Sequence, residues 1–248
     1  MPHSRMCDVV SILDDVTVII LVGGLGTRLR SVVSDRPKVL AQVRDKPFLA
    51  YLLEQIADAG VRYVVLCIGY QGEQVQATFG DAYAGMSLVY SQESTPLGTA
   101  GALRSALPLF RSDPVLVMNG DSFCRVDLSS FWTWHRARAA NATLLLTQVS
   151  DTQRYGRVQV GDDGHVLAFE EKSHQSTPGL INAGIYSLSH RLLKTIPPIK
   201  VVSLEREIFP AWIGRGLYGY RSEGSFLDIG TPEGYALAEL FFVPEPPA

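Results

Sequence analysis

The sequence has 248 residues, of which 46% are hydrophobic and 19% are charged, and its formal net charge is −3. This composition is that of a globular protein, and no run of basic residues is present that would neutralise a nucleic acid or an anionic membrane. We therefore expect neither a nucleic-acid partner nor a membrane partner. The longest apolar run, Val16–Val22, is too short to span a bilayer, and the three scattered cysteines fit a reducing cytoplasm.

The first half of the chain alternates between predicted strands and predicted helices. The apolar, β-branched run Val16–Val22 ends at glycines and is typical of a strand that is buried on both faces of a sheet. Further strands are predicted at 61–70, 86–93 and 113–121, and helices at 47–59, 71–80 and 98–110. This order predicts an α/β fold with a Rossmann-like, doubly wound sheet and three α/β/α layers.

The second half of the chain adds antiparallel elements, which make the predicted sheet a mixed one. A hairpin is predicted at 157–172 because Asp163-Gly164 is a strong turn pair. The other predicted elements are helices at 131–142, 203–216 and 231–242, strands at 142–149 and 179–189, and a final strand pair at 217–230. We divide the chain into an N-terminal extension (1–15), a single domain (16–242) and a C-terminal tail (243–248).

A glycine-rich turn, GGLGTRLR, directly follows the first strand. It is not a P-loop, because the GK[ST] ending is missing, and Leu29 occupies the third glycine position of a dinucleotide fingerprint. A tight strand–helix turn with a surface arginine is the simplest interpretation of the glycines alone. Charge favours a phosphate site, since Arg28 and Lys38 are both expected at the carboxyl end of the first strand, where open α/β sheets bind ligands.

Six motifs occur in one order along the chain. They are LVGGLGTRLRSVVSDRPKVL, PLGTAGAL, VMNGD, YGRV with FEEK, LINAGIY, and FLDIGTPEGY. Together they resemble the sugar-1-phosphate nucleotidyltransferase family over about Val18 to Phe242, with Val22 standing where alanine is common. The resemblance implies the nucleotide-diphospho-sugar transferase fold. It also implies that an oxygen of a sugar 1-phosphate attacks the α-phosphorus of an NTP and that pyrophosphate leaves.

The resemblance further implies a role for each matching residue. The residues implied to bind the nucleotide are Gly23, Gly24, Gly26, Thr27, Arg28, Pro96, Gly98, Thr99 and Asp121. The residues implied to bind the sugar phosphate are Tyr155, Gly156, Glu171, Lys172 and Asn182. The implied catalytic residues are Arg28, Lys38, Asp121, Lys172 and Asp228. Asp121 and Asp228 are also the implied ligands of Mg²⁺, the expected cofactor, which prefers hard carboxylate oxygens.

Two segments favour a particular substrate pair. These segments are SLEREIFP and GLIN, the first four residues of the predicted strand at 179–189. Both are more similar to the guanylyltransferases of D-glycero-α-D-manno-heptose 1-phosphate than to the hexose enzymes. GTP and this heptose phosphate are therefore the expected partners. Glu93, just before the base-binding segment, is a hypothesised acceptor for the guanine N1–H and 2-amino groups. Either a monomer or a homodimer fits the sequence.

Other functions remain open at this point. The enzyme alternatives are adenylyl transfer to a heptose, guanylyl transfer to a hexose, and uridylyl transfer to N-acetylmuramate 1-phosphate. A non-catalytic nucleotide-sugar-binding module is a further alternative from a different class. It predicts the loss of one or more charged site residues, and all four that matter are present: Arg28, Asp121, Lys172 and Asp228.

Overall fold

The computed structural model describes residues 11–29, 31–170 and 177–243. Its strands are β1 (Thr17–Leu21), β2 (Gln42–Val43), β3 (Lys46–Pro47), β4 (Tyr63–Ile68), β5 (Ala82–Tyr83), β6 (Met86–Gln92), β7 (Val115–Asn119), β8 (Ser122–Cys124), β9 (Ala142–Val149), β10 (Arg157–Val160), β11 (Val166–Glu170), β12 (Gly179–Leu188), β13 (Leu217–Ser222) and β14 (Phe226–Asp228). Its α-helices are α1 (Phe48–Asp58), α2 (Gly72–Phe79), α3 (Gly98–Ala106), α4 (Leu128–Ala137), α5 (His190–Leu193), α6 (Phe209–Ala211) and α7 (Pro232–Phe241). The 3₁₀ turns Lys38–Leu40 and Leu107–Leu109 and the π-helical turn Leu204–Ile208 complete the regular structure.

One half of the main sheet is parallel, in the order β6–β4–β1–β7. Every residue of β4 is buried, and so are Val18, Ile19 and Ile20 of β1, as expected for strands that are covered on both faces. The chain passes outward from β1 to β6 and then returns to β7 on the other side of β1. The carboxyl ends of β1 and β7 therefore flank a topological switch point, where open α/β sheets bind ligands.

The other half of the main sheet is built around β12, which pairs antiparallel with β7, β9 and β10. β10 and β11 form the hairpin predicted around Asp163-Gly164. β13 lies parallel to β9 at the edge. Within the described ranges ten strands join in this mixed sheet, which confirms the predicted sheet class.

Apolar cores lie on both faces of the sheet. One core contains Leu52 of α1 and Phe131 of α4, and the other contains Leu103 of α3 and Phe209 of α6. The three-layer α/β/α prediction is confirmed by this arrangement. Among the helices that the structure describes, none combines the length and the apolar character needed to cross a membrane.

The last two strands do not pair with each other, so the predicted strand pair at 217–230 was wrong. β14 leaves the main sheet and pairs antiparallel with β8, which places Asp228 opposite Ser122. The chain bends at Gly224, where a Cβ atom would lie 1.6 Å from the carbonyl oxygen of Arg125. Since only glycine permits this approach, Gly224 allows the chain to turn from β13 toward β8.

The predicted helix at 203–216 was also wrong in its length. The segment forms one π-helical turn, Leu204–Ile208, and then the short helix α6. Pro210 lacks the N–H that a longer helix needs, and Gly214 and Gly216 have φ values of +74° and +80°. The segment ends instead in turns that lead into β13.

Candidate functional site

A cavity of about 260 Å³ opens at the carboxyl ends of β1, β4 and β7. Seven of the residues that the motifs singled out contribute to its wall: Gly23, Gly24, Lys38, Pro96, Gly98, Thr99 and Asp121. The cavity thus lies at the topological switch point of the sheet. The structure brings these residues together from four separate segments of the sequence.

The glycine-rich loop contributes backbone to this wall. A Cβ atom on Gly23 would lie 3.3 Å from the backbone nitrogen of Gly69, whereas one on Gly24 would meet nothing within 4 Å. Gly23 is thus packed against the chain behind it, and Gly24 faces open space where a ligand fits. Gly26 has a φ of +59°, and the exposed Thr27 follows it; neither belongs to the cavity wall.

Arg28 is directed toward the second carboxylate segment instead of the cavity wall. A Cβ atom on Gly230 would lie 3.4 Å from Nη2 of Arg28. The positive charge of Arg28 also lowers the pKa of Asp228 and of Tyr155, against larger effects that raise both. Arg28 therefore lies close to Asp228, a predicted metal ligand, and to Tyr155, a predicted sugar-binding residue.

Lys38 forms an ion pair with Asp121. The Lys38 side chain is only 11% exposed, because the 3₁₀ turn that begins with it buries the next two residues, Val39 and Leu40, in the core. Asp121 is separated from the end of β7 only by Gly120, whose N–H donates to the carbonyl of Leu21. This bond ties the end of β7 to the end of β1 beside the loop.

Asp228 reaches the same place through the β8–β14 ribbon. The N–H of Ile229 donates to the carbonyl oxygen of Asp121 at 3.0 Å, and the N–H of Gly230 donates to Oδ1 of Asp228 at 2.6 Å. Burial raises the pKa of Asp228, and the negative charge of Asp121 raises it further. The hydrogen bond from Gly230 and the charges of Lys38 and Arg28 partly oppose this rise. The two carboxylates therefore share one site.

The donor set fits a Mg²⁺ ion. Asp121 and Asp228 offer hard oxygen ligands, and magnesium typically takes one or two protein carboxylates together with substrate phosphates and water. In the described part of the chain no group of three or more His, Cys, Asp and Glu side chains is found that would form a closed metal cage. Lys38 and Arg28 only balance the two carboxylates, so a polyphosphate bound here requires further positive charge, which a divalent ion supplies.

The start of α3 lines the same cavity as the glycine-rich loop. Gly98 has a φ of +72°, and a Cβ atom on it would lie 2.6 Å from the carbonyl oxygen of Val202. The N–H of Ala100 donates to that carbonyl at 3.0 Å. Glycine at position 98 thus lets α3 start against the 200–204 segment and present Thr99 to the cavity.

Glu93 lines the cavity just ahead of α3. Its Oε2 accepts a hydrogen bond from the N–H of Leu97 at 3.2 Å, which fixes the side chain beside the predicted base segment. Burial raises the pKa of this carboxyl, and the bond from Leu97 lowers it. A half-buried carboxylate in this position can accept hydrogen bonds from a ligand that carries two adjacent N–H donors.

Among the predicted sugar-binding residues that the structure describes, Tyr155 lies near the two carboxylates, and Tyr155, Gly156 and Asn182 are not part of the cavity wall. The ring of Tyr155 packs edge-on against Phe226, with 5.8 Å between centroids. Burial raises the pKa of Tyr155, and the charge of Asp228 raises it further. A Cβ atom on Gly156 would lie 2.9 Å from the carbonyl oxygen of Glu170. Glu171 and Lys172, which were also predicted here, lie outside the described residues.

Asn182 is linked to the cavity wall by hydrogen bonds through the buried Tyr186. Its Nδ2 donates to the hydroxyl oxygen of Tyr186 at 3.0 Å, and its Oδ1 accepts from the N–H of Gly184 at 2.9 Å. Nδ2 of Asn119, a residue of the cavity wall, reaches the same hydroxyl at 3.4 Å.

Sequence reasoning missed several residues of the site. Asn119 lines the cavity, and its Oδ1 is buried without a hydrogen-bond partner among the described residues. It stands two positions before Asp121 in the VMNGD motif, so the motif already carried this signal. Cys67 also lines the cavity, but burial raises the pKa of its thiol, which makes it a poor nucleophile.

The sequence profile of a family described as "Nucleotidyl transferase" matches residues 17–243. The chain is 38% identical over 222 residues to D-glycero-alpha-D-manno-heptose 1-phosphate guanylyltransferase of Aneurinibacillus thermoaerophilus, with 89% of this chain and 96% of that protein covered. It is also 38% identical over 224 residues to mannose-1-phosphate guanylyltransferase of Mycobacterium tuberculosis. That match covers 89% of this chain but only 62% of the mycobacterial protein.

A solved structure agrees with these sequence matches. The crystal structure of HddC from Yersinia pseudotuberculosis complexed with GMP-PN superposes with a TM-score of 0.81 at 31% identity, covering 92% of this chain and all of that one. These comparisons confirm the resemblance and the fold that the six motifs predicted.

Proposed function

The chain belongs to the nucleotidyl transferase family, and we propose that it is a guanylyltransferase that joins GTP to a sugar 1-phosphate. One observation carries the proposal. Arg28, Lys38 and the carboxylates of Asp121 and Asp228 converge at one end of the sheet, beside a cavity that Glu93 also lines.

In the proposed reaction, a phosphate oxygen of the sugar 1-phosphate forms a bond to the α-phosphorus of GTP. The bond from that phosphorus to the β-phosphate oxygen breaks, and pyrophosphate leaves with the electron pair. No covalent enzyme intermediate is needed, so the residues contribute alignment and charge. A magnesium ion held by Asp121 and Asp228 supplies Lewis-acid charge neutralisation when it is bound.

Each predicted residue has a place in this reaction. The backbone of the loop from Gly23 to Thr27 surrounds the polyphosphate. Lys38, at the start of the 3₁₀ turn, contacts the polyphosphate with its side chain. Arg28 neutralises charge that develops on pyrophosphate, since its guanidinium keeps its proton. Gly98 and Thr99 hold the nucleoside, with Pro96 before them. Tyr155, Gly156, Asn182 and, outside the described residues, Glu171 and Lys172 hold the sugar phosphate.

The favoured sugar is D-glycero-α-D-manno-heptose 1-phosphate. The Aneurinibacillus enzyme named for this substrate matches almost end to end, with 96% of its length covered. Mannose 1-phosphate is the second candidate, because the mycobacterial mannose-1-phosphate guanylyltransferase is equally identical over the region that matches. Cytoplasmic GTP is the expected nucleotide source, and Glu93 is the proposed acceptor for guanine.

Pyrophosphate release tests the proposal. The protein is incubated with MgCl₂, one sugar 1-phosphate (the heptose or mannose form) and GTP, ATP, UTP, CTP or dTTP in turn. We expect release with GTP and the heptose form, and none from the Asp121→Asn variant prepared in parallel. Release with mannose 1-phosphate alone would select the second candidate, and release with another NTP would overturn the guanine assignment. If no combination of NTP and sugar 1-phosphate releases pyrophosphate, the enzyme assignment itself is contradicted.

A further inference from the structure

Glu205 lies between the nucleotide wall and the sugar side of the site. Its half-buried carboxylate stands in the π-helical turn that packs against the start of α3. Oε2 accepts hydrogen bonds from the hydroxyls of Thr99, at 3.0 Å, and Ser203, at 2.9 Å. Oε1 accepts from the hydroxyl of Tyr186 at 3.2 Å. One carboxylate therefore holds a side chain from α3 and a side chain from β12.

The contacts on the nucleotide side fix Thr99 twice. Its hydroxyl donates to Glu205 and accepts from the N–H of Leu204 at 2.8 Å. The proton and one of the two lone pairs of this hydroxyl are thereby used. Thr99 lines the cavity, so its orientation sets the shape of the wall against which a nucleoside lies.

The contacts on the sugar side pass through Tyr186. Because its hydroxyl donates to Glu205, its oxygen is left to accept, and it accepts from Nδ2 of Asn182 and from Nδ2 of Asn119. Those bonds decide which way each amide faces. The bond to Tyr186 holds the amide nitrogen of Asn119. Its Oδ1 is an acceptor that is buried without a partner among the described residues.

Simple core packing does not require a carboxylate at this position. A charge is costly to bury unless hydrogen bonds compensate it, and a neutral side chain of the same shape would pack equally well. Glu205 instead receives three hydroxyl donors, from Thr99, Ser203 and Tyr186, that come from three different elements of the fold. A carboxylate is suited to this because it accepts on both oxygens and forces every neighbour to act as donor.

We propose that Glu205 is a positioning residue that orients the nucleotide wall through Thr99 and, through Tyr186, the amides of Asn182 on the sugar side and of Asn119 in the cavity wall. It contacts neither substrate. The inference rests on the proposed guanylyl transfer, because it assigns Thr99 to the nucleotide and Asn182 to the sugar phosphate. It predicts that the two substrates lose affinity through two separable branches of one network.

The test compares five variants in the pyrophosphate assay with GTP and the sugar phosphate that the wild-type protein uses. Glu205→Ala is expected to raise KM for both substrates and to lower kcat, each by about tenfold, as small misplacements of substrate groups do. Tyr186→Phe should raise KM for the sugar phosphate by about fivefold and KM for GTP by less, because it removes the hydroxyl that holds Asn182 on the sugar side and Asn119 in the cavity wall. Thr99→Val should raise KM for GTP alone by a similar factor, about fivefold.

Glu207→Ala is the matched control. Glu207 stands two residues further along, and its Oε1 accepts from the N–H of Ser203 at 2.9 Å, so the variant weakens the same helical turn without touching Thr99 or Tyr186. Glu207→Ala should lower Tm but leave both KM values within about twofold. Glu205→Gln keeps the shape but replaces one acceptor oxygen by an amide donor, so it should recover only part of the activity lost in Glu205→Ala.

Two different failures are distinguishable. If the wild-type protein releases pyrophosphate but Glu205→Ala behaves like Glu207→Ala, the positioning role is overturned while the guanylyltransferase stands. Equal effects of Tyr186→Phe on both KM values would also overturn it, because the branches would not be separable. If the wild-type protein is inactive with every substrate pair, the proposed function fails and the role of Glu205 fails with it.

Discussion

Lys38 and Asp121 form an ion pair although they are 83 positions apart in the sequence. The pair connects the loop that follows β1 to the end of β7, at the point where the carboxylate of Asp228 also arrives. It places a cation beside a proposed magnesium ligand before any substrate enters. In the proposed reaction, we expect this cation to move from the carboxylate toward phosphate oxygens when a nucleotide and its metal ion bind.

Removal of the Lys38 cation is expected to impair catalysis far more than stability. In Lys38→Met, kcat/KM should fall by about 100-fold, the loss seen when one preorganised charge-stabilising group is deleted. Steady-state pyrophosphate release measures this. Lys46→Met is the control, because Lys46 pairs with Glu54 outside the cavity wall. Similar losses in both variants would mean that Lys38 has no special role in the site.

Gly24 is expected to matter for the ligand and not for the fold. A Cβ atom at this position meets nothing within 4 Å, yet the residue lines the cavity. In Gly24→Ala the added methyl should occupy space meant for phosphate, raising KM for GTP by about tenfold through lost backbone approach. Thermal denaturation should show an unchanged Tm. A large fall in Tm would contradict this, as would an unchanged KM.

Gly120→Ala provides the opposite case at the same site. Its Cβ atom would lie 2.8 Å from the carbonyl oxygen of Leu21, so the end of β7 must move away from β1. We expect destabilisation together with loss of activity. Tm and activity are compared for Gly24→Ala and Gly120→Ala. We expect Gly120→Ala to lower both, and Gly24→Ala to weaken GTP binding without a change in Tm.

Glu93 is expected to determine base preference. In Glu93→Gln the side chain keeps its size, but one oxygen acceptor is replaced by an amide donor that faces the guanine N1–H and 2-amino groups. The ratio of kcat/KM for GTP to that for ATP should fall by about 100-fold or more, because buried donors would be left unpaired. Competition between the two nucleotides in one reaction measures the ratio. An unchanged ratio would remove Glu93 from base recognition.

Asp228 is expected to lower the stability of the metal-free protein at neutral pH. Its pKa is raised in the folded state by burial and by the charge of Asp121. A raised carboxyl pKa means that the folded protein binds the proton more tightly than the unfolded chain. The associated stability is present at acid pH and is lost as pH rises through the folded pKa, at about 1.4 kcal/mol for each unit of elevation.

Asp228→Asn should therefore have a higher Tm than the wild-type protein at pH 7 without metal, by about 2–4 °C for each kcal/mol recovered. The N–H of Gly230 still finds an oxygen acceptor in asparagine. The difference in Tm should shrink toward zero as the pH is lowered, and the variant should be inactive. A Tm difference that does not depend on pH would show that like-charge repulsion and burial of Asp228 are not its cause.

Much of the site was predictable from sequence because its parts lie at strand ends. The buried run before Gly23 predicted β1, the charges of Arg28 and Lys38 indicated a site at its carboxyl end, and the family resemblance added Asp121 at the end of the neighbouring strand β7. The pairing of β14 with β8 was not predictable, because it depends on a backbone approach between Gly224 and Arg125 that no local pattern reveals. The roles of Tyr186 and Glu205 likewise depend on tertiary contacts between β12 and the π-helical turn.

The Gly224 bend has a consequence for how the molecule assembles. The glycine-rich loop, Lys38 and Asp121 all belong to the first half of the chain, whereas Asp228 reaches them only when a long loop closes. The thiol of Cys124 contacts the carbonyl of Gly224 100 residues away, and contacts of such separation form late because closing the loop costs chain entropy. The start of α3 needs an equally long closure, because Ala100 bonds to Val202 and Thr99 bonds to Glu205, so both sides of the proposed site depend on contacts with the second half of the chain.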